Sequence, residues 1–445
     1  MDIITRFAPA PTGLLHIGNI RTAFVNWLYT RKMGGKFYIR IDDTDIERSK
    51  QEFIEAIYDN MHWLGLTWDL TFKQSDRREI YKTTLNRLIK EGCIYPCYES
   101  SSELELIKKI QLSRKLPPIY SRDALKLSQS QKEELENQGR KPHYRFMLSH
   151  EPIVWEDMVK GHMHFEGRYL SDPVVVKEDG NMTYLLCSAI DDLDYNVSTI
   201  LRGEDHVHNT AIQIQMMKSL KANFIPNFGH LSLVKAEDNK ISKRTGGFDI
   251  NSLKNEFHLE AKSILSFLSR IGTNKPLQVF SSLQEIIDDF DIASFSKSPT
   301  TYMAQELKIL NHKVLSVMHF YEIEDFLNAS DLKGKVLEEF WLSVRSNLKD
   351  LEELKDWYHI CYEEIESVDI DKEYLSLASE LLPDGEITDS TFKVWTTKLS
   401  KKTAKKGKEL FYPLRIALTG REEGPEMHNL LPIIGREKIL ERLKK

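Results

Sequence analysis

Residues 6–27 read RFAPAPTGLLHIGNIRTAFVNW, and this stretch decides the fold. Residues 2–8, DIITRFA, have the composition of a strand, and the Pro/Gly-rich Pro9-Ala10-Pro11-Thr12-Gly13 is the turn that ends it. After Gly18 the apolar residues Ile20, Ala23, Phe24, Trp27 and Leu28 recur at helical spacing. Gly34 and Gly35 supply a C-terminal stop. KFYIRI, residues 36–41, then reads as a second strand that runs into the acidic Asp42-Asp43-Thr44-Asp45. Strand, helix and strand in about forty residues form a βαβ unit and predict a parallel sheet. Ligands of such sheets bind beyond the carboxyl ends of the strands. The turn before His16 and the acidic run both fall there.

His16 and Asn19 stand at the start of the predicted helix, where backbone N–H groups and the helix dipole favour an anion. Gly18 would let that anion approach closely, and His16 and Asn19 would add donors to a phosphate. A plain capping turn beside a surface histidine is the ordinary alternative. The second motif is Lys240-Ile241-Ser242-Lys243-Arg244, three cations in five residues, followed by Thr245-Gly246-Gly247. A donor-rich loop of this kind suits a polyphosphate, although many charge runs are only solvated. The two motifs in this order, around a βα framework, are far more specific than either alone.

The chain has 445 residues, which predicts two to four domains. Its 41% hydrophobic and 29% charged content is that of a soluble globular protein. Cys93, Cys97, Cys187 and Cys361 are scattered, which fits a reducing cytoplasm and no disulfide framework. Cys93 and Cys97 have no second Cys/His pair at ligand spacing, so zinc is not expected. The opening MDIITRFAPAP does not read as a signal peptide, and no run approaches ~20 apolar residues, so no membrane association is expected. A net charge of -6 counts against a polyanionic partner on average. Residues 392–411, FKVWTTKLSKKTAKKGKELF, are nevertheless strongly basic with interleaved aromatics.

The remaining organisation follows the composition. Residues 76–185 interrupt the βα rhythm with KLPPIYSRD, GRKPHYRFML and DGNMTYLL, and read as an insertion into residues 1–75 and 186–235. Residues 236–310 hold the Lys/Gly loop and a connecting helical part, and residues 311–445 are almost entirely helix-patterned.

HIGN and KISKR resemble the two signature motifs of class I aminoacyl-tRNA synthetases. RFAPAPTGLLHIGN, YIRIDDTD, LRGEDH and FGHLSLV together resemble the bacterial glutamyl-tRNA synthetases, nearly end to end. The resemblance implies an α/β Rossmann-type catalytic domain, an inserted α+β acceptor-stem-binding domain and an all-α anticodon-binding region. It implies ATP with Mg²⁺, L-glutamate and tRNA as substrates, and catalytic or ATP-binding roles for His16, Gly18, Asn19, Lys240, Lys243 and Arg244. For the glutamate pocket it points to Arg6, Ala8, Ala10, Asp42, Tyr184, Ser188, Arg202 and Asp205. Arg6 and Arg202 would grip carboxylates, Tyr184 would donate a further bond and Asp42 would receive the ammonium. For tRNA it points to Arg48 at the acceptor end, and the stacking face of Trp395 and seven lysines offer a second surface.

The chain departs from the family pattern at Ala10 (usually Ser), Asp42 (usually Glu), Ser188 (often Asn) and His206 (often Trp). Asn347 aligns where members strict for tRNA(Glu) often carry arginine, so charging of tRNA(Gln) as well as, or instead of, tRNA(Glu) is expected. A cytoplasmic monomer is expected. The rival readings are a small-molecule nucleotidylyltransferase, usually much shorter; a glutaminyl-tRNA synthetase, whose C-terminal region would be β-barrels; and a non-catalytic tRNA-binding relative, which intact His16, Lys240 and Lys243 oppose.

Overall fold

A computed structural model describes residues 2–45, 47–236, 249–302, 304–366 and 370–444. The chain divides into two compact units, Met1–Leu253 with Leu265–Met303, and Lys254–Ile264 with Ala304–Lys445.

The first unit opens with β1 (Ile4–Phe7), α1 (Ile17–Lys32) and β2 (Lys36–Ile41). β1 and β2 are parallel, with Ile4 opposite Lys36 and Phe7 opposite Ile39. Ile20, Ala23, Phe24 and Leu28 of α1 are fully buried, as their spacing predicts. The helix ends where Gly34 turns left-handed at φ +67°. A Cβ on Gly35 would lie 2.2 Å from the Ile3 carbonyl oxygen, so only glycine passes that edge of β1. After α2 (Gln51–Trp63), β3 (Leu70–Lys73) pairs in parallel with β2, and α3 (Arg78–Lys90) follows.

The inserted region carries β4 (Ile94–Cys97), α4 (Ser101–Ser113), α5 (Gln129–Asn137), β5 (His143–Phe146), β6 (Ile153–Asp157), β7 (Gly161–Phe165) and β8 (Val174–Val176). β4, β5 and β8 form an antiparallel sheet of their own. The β6–β7 hairpin does not join them; it extends the main sheet through β10. Ile153 and Trp155 of β6 share one apolar core with Ile200 and Phe228, while Val154 and Glu156 face out.

The main sheet resumes with α6 (Tyr184–Asp194), β9 (Thr199–Gly203), α7 (Val207–Ser219) and β10 (Asn227–Leu231), with β9 and β10 parallel. Ser198 joins β9 to β1: its amide donates to the Ile4 carbonyl at 3.0 Å, and its hydroxyl accepts from the Ile4 amide at 2.9 Å. The strands therefore run β3, β2, β1, β9, β10, β6, β7, and the chain reverses direction across the sheet between β1 and β9. That is the switch point where Rossmann-type sheets bind ligands. β11 (Val234–Ala236), α8 (Ile250–Asn255), α9 (Ala261–Leu268), α10 (Leu283–Asp289) and β12 (Thr300–Tyr302) follow, with β11 and β12 parallel.

In the second unit the described elements from residue 304 onward are helices: α11 (Ala304–Val317), α12 (Glu324–Ala329), α13 (Glu338–Val344), α14 (Glu353–Tyr362), α15 (Lys372–Glu380), α16 (Asp389–Thr403), α17 (Lys408–Thr419), α18 (Met427–Ile434) and α19 (Arg436–Lys444), with single 3-10 turns between some of them. No helix among the described residues is long and apolar enough to cross a membrane. Asn347 is exposed in a short turn, while neighbouring Arg345 is spent on the Met318 carbonyl at 2.6 Å.

Trp395 corrects an expectation. Its ring is fully buried and its indole N–H donates to the Ala378 carbonyl at 2.8 Å, so it offers no stacking face to RNA. Thr391, Trp395 and Leu399 recur every fourth residue and form the inner stripe of α16. Lys393, Lys398, Lys401 and Lys402 stay exposed on its outer side. Trp395→Phe, which removes one buried hydrogen bond worth ~1 kcal/mol, should lower the melting midpoint by about 2–4 °C. Calorimetry on the full chain checks this, and filter binding should show unchanged tRNA affinity.

Candidate active site

A cleft of about 1280 Å³ opens beyond the carboxyl ends of β1, β2 and β9. Ala8, Ala10, His16, Gly18, Asn19, Arg48 and Asp205 line it, as do the arginines and acids described next.

His16 is the N-cap of α1. Its Nδ1 accepts from the amides of Gly18 at 3.1 Å and Asn19 at 3.3 Å, and the Asn19 side-chain oxygen accepts from the His16 amide at 3.2 Å. This reciprocal box satisfies amides that the sequence reading left free for an anion. Gly18 also serves another purpose than expected. A Cβ there would stand 3.0 Å from Cε1 and 3.1 Å from Nδ1 of His16, so Gly18 makes room for the imidazole. An Nδ1 that accepts two backbone hydrogen bonds places the proton of a neutral ring on Nε2. Desolvation in the cleft holds the His16 pKa below its usual value, which keeps the ring neutral. Nε2–H is then the donor this ring can offer.

The floor is built from buried arginines. Arg6 of β1 donates from Nε to Asp192 at 3.0 Å, and Arg40 of β2 donates to the same carboxylate at 2.8 Å. Arg40 also grips Asp42 through two bonds of 2.6 and 3.2 Å and donates to the Ser188 hydroxyl at 3.1 Å. Asp191 is taken by Gln74, Arg77 and Tyr81. Arg202 of β9 has no carboxylate among the described residues; it donates to the Thr210 hydroxyl at 2.6 Å, and its Nε is buried without a partner. Burial, with Arg6 nearby, pushes the Arg202 pKa down to about 10. Arg40 also lies 3.9 Å from Asp191, so Arg6 and Arg40 are held among Asp42, Asp191 and Asp192, and of the three guanidiniums Arg202 alone has no ion pair to a carboxylate among the described residues. A buried guanidinium with no carboxylate partner calls for a ligand of opposite sign.

Tyr184, at the start of α6, accepts from the Asn209 amide, and its hydroxyl lies 3.4 Å from Nδ1 of His206. The Asp42 amide donates to the Pro9 carbonyl at 3.0 Å, which sets this acid beside Ala8 and Ala10. Burial raises the Asp42 carboxyl to about 6, with Arg40 opposing. Arg48 is mostly exposed and held by Asp45, its Nε donating at 2.8 Å.

Lys240, Lys243 and Arg244 lie outside the described residues. The chain on either side of them is placed at the cleft. Leu233 and Val234 line it, and Asp249 forms an antiparallel bridge with His16 while the Ile250 amide donates to the Leu15 carbonyl at 3.0 Å. Lys243 is six residues from that bridge, within about 20 Å for an extended chain.

The sequence reading missed Arg40, Asp192 and Arg21. The signals were present: an arginine inside the otherwise apolar YIRI strand, and two aspartates inside the apolar YLLCSAIDDL helix. Arg21, one turn after the His16 cap, is buried and donates to the Ser232 carbonyl at 2.7 Å. Cys97, Glu99 and His143 bring ligand-capable atoms within 4.8 Å of one another. Spacing along the chain did not suggest this cluster, because His143 reaches Cys97 as its cross-strand partner.

Residues 2–309 match the family described as "tRNA synthetases class I (E and Q), catalytic domain", and residues 313–445 match "Anticodon binding domain". Glutamate--tRNA ligase 1 of Rickettsia akari is 51% identical over 443 residues, 99% of each chain, and that of Rickettsia bellii is 52% identical over the same span. The crystal structure of a glutamate tRNA ligase from Elizabethkingia meningosepticum, in complex with its amino acid, superposes with a TM-score of 0.83 at 22% identity, covering 100% of this chain and 98% of that one.

The raised Asp42 carboxyl yields a pH prediction. At pH 7 it is ionised and can receive an ammonium; below about pH 6 it takes up a proton and cannot. Glutamate affinity should fall about tenfold from pH 7 to pH 5, and Asp42→Asn should flatten the profile. Isothermal titration across that range is the check.

Proposed function

The chain belongs to the class I tRNA synthetases of the glutamate and glutamine group, and we propose that it works as a glutamate–tRNA ligase on the cleft at the β1–β9 switch point. A carboxylate oxygen of L-glutamate attacks the α-phosphorus of ATP. The bond to the β-phosphate breaks, and pyrophosphate leaves glutamyl-adenylate. A ribose hydroxyl of the terminal adenosine of tRNA then attacks the acyl carbon and releases AMP. ATP enters as its Mg²⁺ complex, to which no protein ligand is assigned.

The observation that carries this reading is the bridge between His16 and Asp249. It ties the helix start that bears HIGN to the chain that leaves KISKR, so both motifs can serve one triphosphate. In-line displacement needs positioning and charge stabilisation rather than covalent help. The neutral His16 donates from Nε2 to the α-phosphate as charge builds, and Asn19 and Gly18 hold the ring. Lys243, with Lys240 and Arg244, neutralises the departing pyrophosphate.

Glutamate is read by the charge balance of the floor. Arg202 supplies the unpaired cation for a carboxylate, and Arg6, bound to Asp192 on one side, supports it. Asp42 receives the ammonium beside Ala8 and Ala10, Tyr184 donates its hydroxyl proton, and Ser188 and Asp205 complete the walls. Ser188 departs from the common asparagine, yet its hydroxyl is engaged by Arg40. Arg48 at the cleft edge suits the acceptor end of tRNA. Exposed Asn347, with no guanidinium of its own, supports acceptance of tRNA(Gln) beside tRNA(Glu). A monomer in the cytoplasm fits this reading.

Side-by-side charging of purified tRNA(Glu) and tRNA(Gln) with labelled glutamate tests it. Glutamylation of both is expected, and no product on tRNA(Gln) would refute the wider specificity. Lys243→Ala should abolish pyrophosphate exchange in the presence of tRNA. Gly18→Ala, which crowds the imidazole, should lower kcat by on the order of 10–100-fold with the KM for ATP nearly unchanged; an unaltered kcat contradicts the role given to His16.

A further inference from the structure

Behind Arg202 lies a hydrogen-bonded chain that the chemistry above does not use. Nη2 of Arg202 donates to the Thr210 hydroxyl at 2.6 Å. That hydroxyl lies 2.8 Å from Nε2 of His230. Nδ1 of His230 contacts the Asp157 carboxylate at 2.5 Å. Thr210 and His230 are fully sealed from solvent, and Asp157 and Arg202 nearly so. The four residues come from α7, β10, β6 and β9, so the chain crosses the sheet sideways from the hairpin of the inserted region to the ligand cleft.

Donor and acceptor roles follow from Asp157. Its Oδ1 accepts from the amides of Val159 at 3.0 Å, Lys160 at 2.9 Å and His230 at 3.0 Å. Burial works against its charge, but the bonds from His230 and the backbone outweigh this and bring it down to about 2. An ionised Asp157 only accepts, so Nδ1 of His230 donates to it. Burial keeps His230 neutral, with Arg202 adding to that effect and Asp157 opposing it. Nε2 is then an acceptor and takes the Thr210 proton, in preference to the His206 carbonyl at 3.3 Å. The Thr210 oxygen is left with its lone pairs toward Arg202. The His230 ring is held by Phe228, nearly parallel at 12°, and by the edge of Trp155.

We propose that Asp157, His230 and Thr210 are positioning residues that set the orientation of the Arg202 guanidinium and thereby the affinity for the substrate carboxylate. This deepens the reading of Arg202 as the carboxylate anchor and rests on it. A guanidinium held at Nη2 cannot swing to meet Asp192 or another acid. Its positive charge is stabilised through a polarised chain that ends in a carboxylate outside the cleft, so Asp157 supports Arg202 without occupying the ligand's place. A direct acid partner would have neutralised the site for glutamate. His206, whose carbonyl also reaches Thr210, sits where the same hydroxyl would turn if His230 took up a second proton.

The test is steady-state aminoacylation of tRNA(Glu) by the full chain carrying Thr210→Val, Thr210→Ala, Thr210→Ser or Arg202→Lys. Thr210→Val and Thr210→Ala should each raise the KM for glutamate at least tenfold while the KM for ATP stays within twofold, and should narrow the preference for glutamate over glutamine. Thr210→Ser should restore most of the affinity, because it keeps the hydroxyl. A protein that is merely destabilised loses active molecules and lowers kcat without changing the ratio of the two KM values. If Arg202→Lys weakens glutamate binding and both hydroxyl-less variants do not, the relay is refuted. If Arg202→Lys also leaves glutamate binding intact, the anchor reading itself falls.

Discussion

Three guanidinium groups buried together, of which only Arg6 and Arg40 are paired with carboxylates, are the constraint on which the catalytic unit turns. Arg6 comes from β1, Arg40 from β2 and Arg202 from β9, while Asp192 stands on α6. Asp192 bonds Arg6 and Arg40 at once, so one carboxylate of α6 ties that helix to the adjacent strands β1 and β2 beside the switch point. Such a cluster is costly to bury and is strongly destabilised by the loss of one partner. It also fixes the geometry of the cleft before any ligand arrives, which is what a site acting by preorganised charge requires.

The hydrophobic frame serves that cluster. One apolar core runs from β4 and β5 through β6 to β9 and β10, and it includes Phe146, Trp155, Ile200 and Phe228. The inserted region therefore shares a core with the nucleotide fold. A buried hydrogen-bond chain can pass from Asp157 to Arg202 only because β6 lies beside β10 in the same sheet.

Local chemistry was legible in the sequence wherever period and punctuation agree. Ile20, Phe24 and Leu28 gave α1, the Pro/Gly turn gave the cleft edge, and the helical character of residues 311–445 followed from their pattern. Pairings made at a distance were not legible. The β6–β7 hairpin reads as part of an insert because its partner β10 lies some seventy residues on, and alternation names a face without naming a neighbour. Trp395 misled for a related reason: an aromatic among lysines looks like a nucleic-acid face until the fourfold spacing of Thr391, Trp395 and Leu399 is given weight. In the site, Arg6, Asp42, Tyr184 and Arg202 all reach the cleft. Arg40 and Asp192, which hold them there, were hidden because a buried ion pair has no spacing rule.

The cap of α1 has a consequence for how a helix can act on a ligand. With the Gly18 and Asn19 amides already bonded to Nδ1 of His16, the electropositive end of α1 does not meet a bound anion through bare peptide groups. It meets it through an aromatic ring that is polarised on its inner nitrogen and presents a proton on its outer one. The imidazole extends the dipole outward by its own width, and a chemically titratable unit replaces a fixed peptide at the tip. The strength of the helix end thereby becomes a property of one side chain.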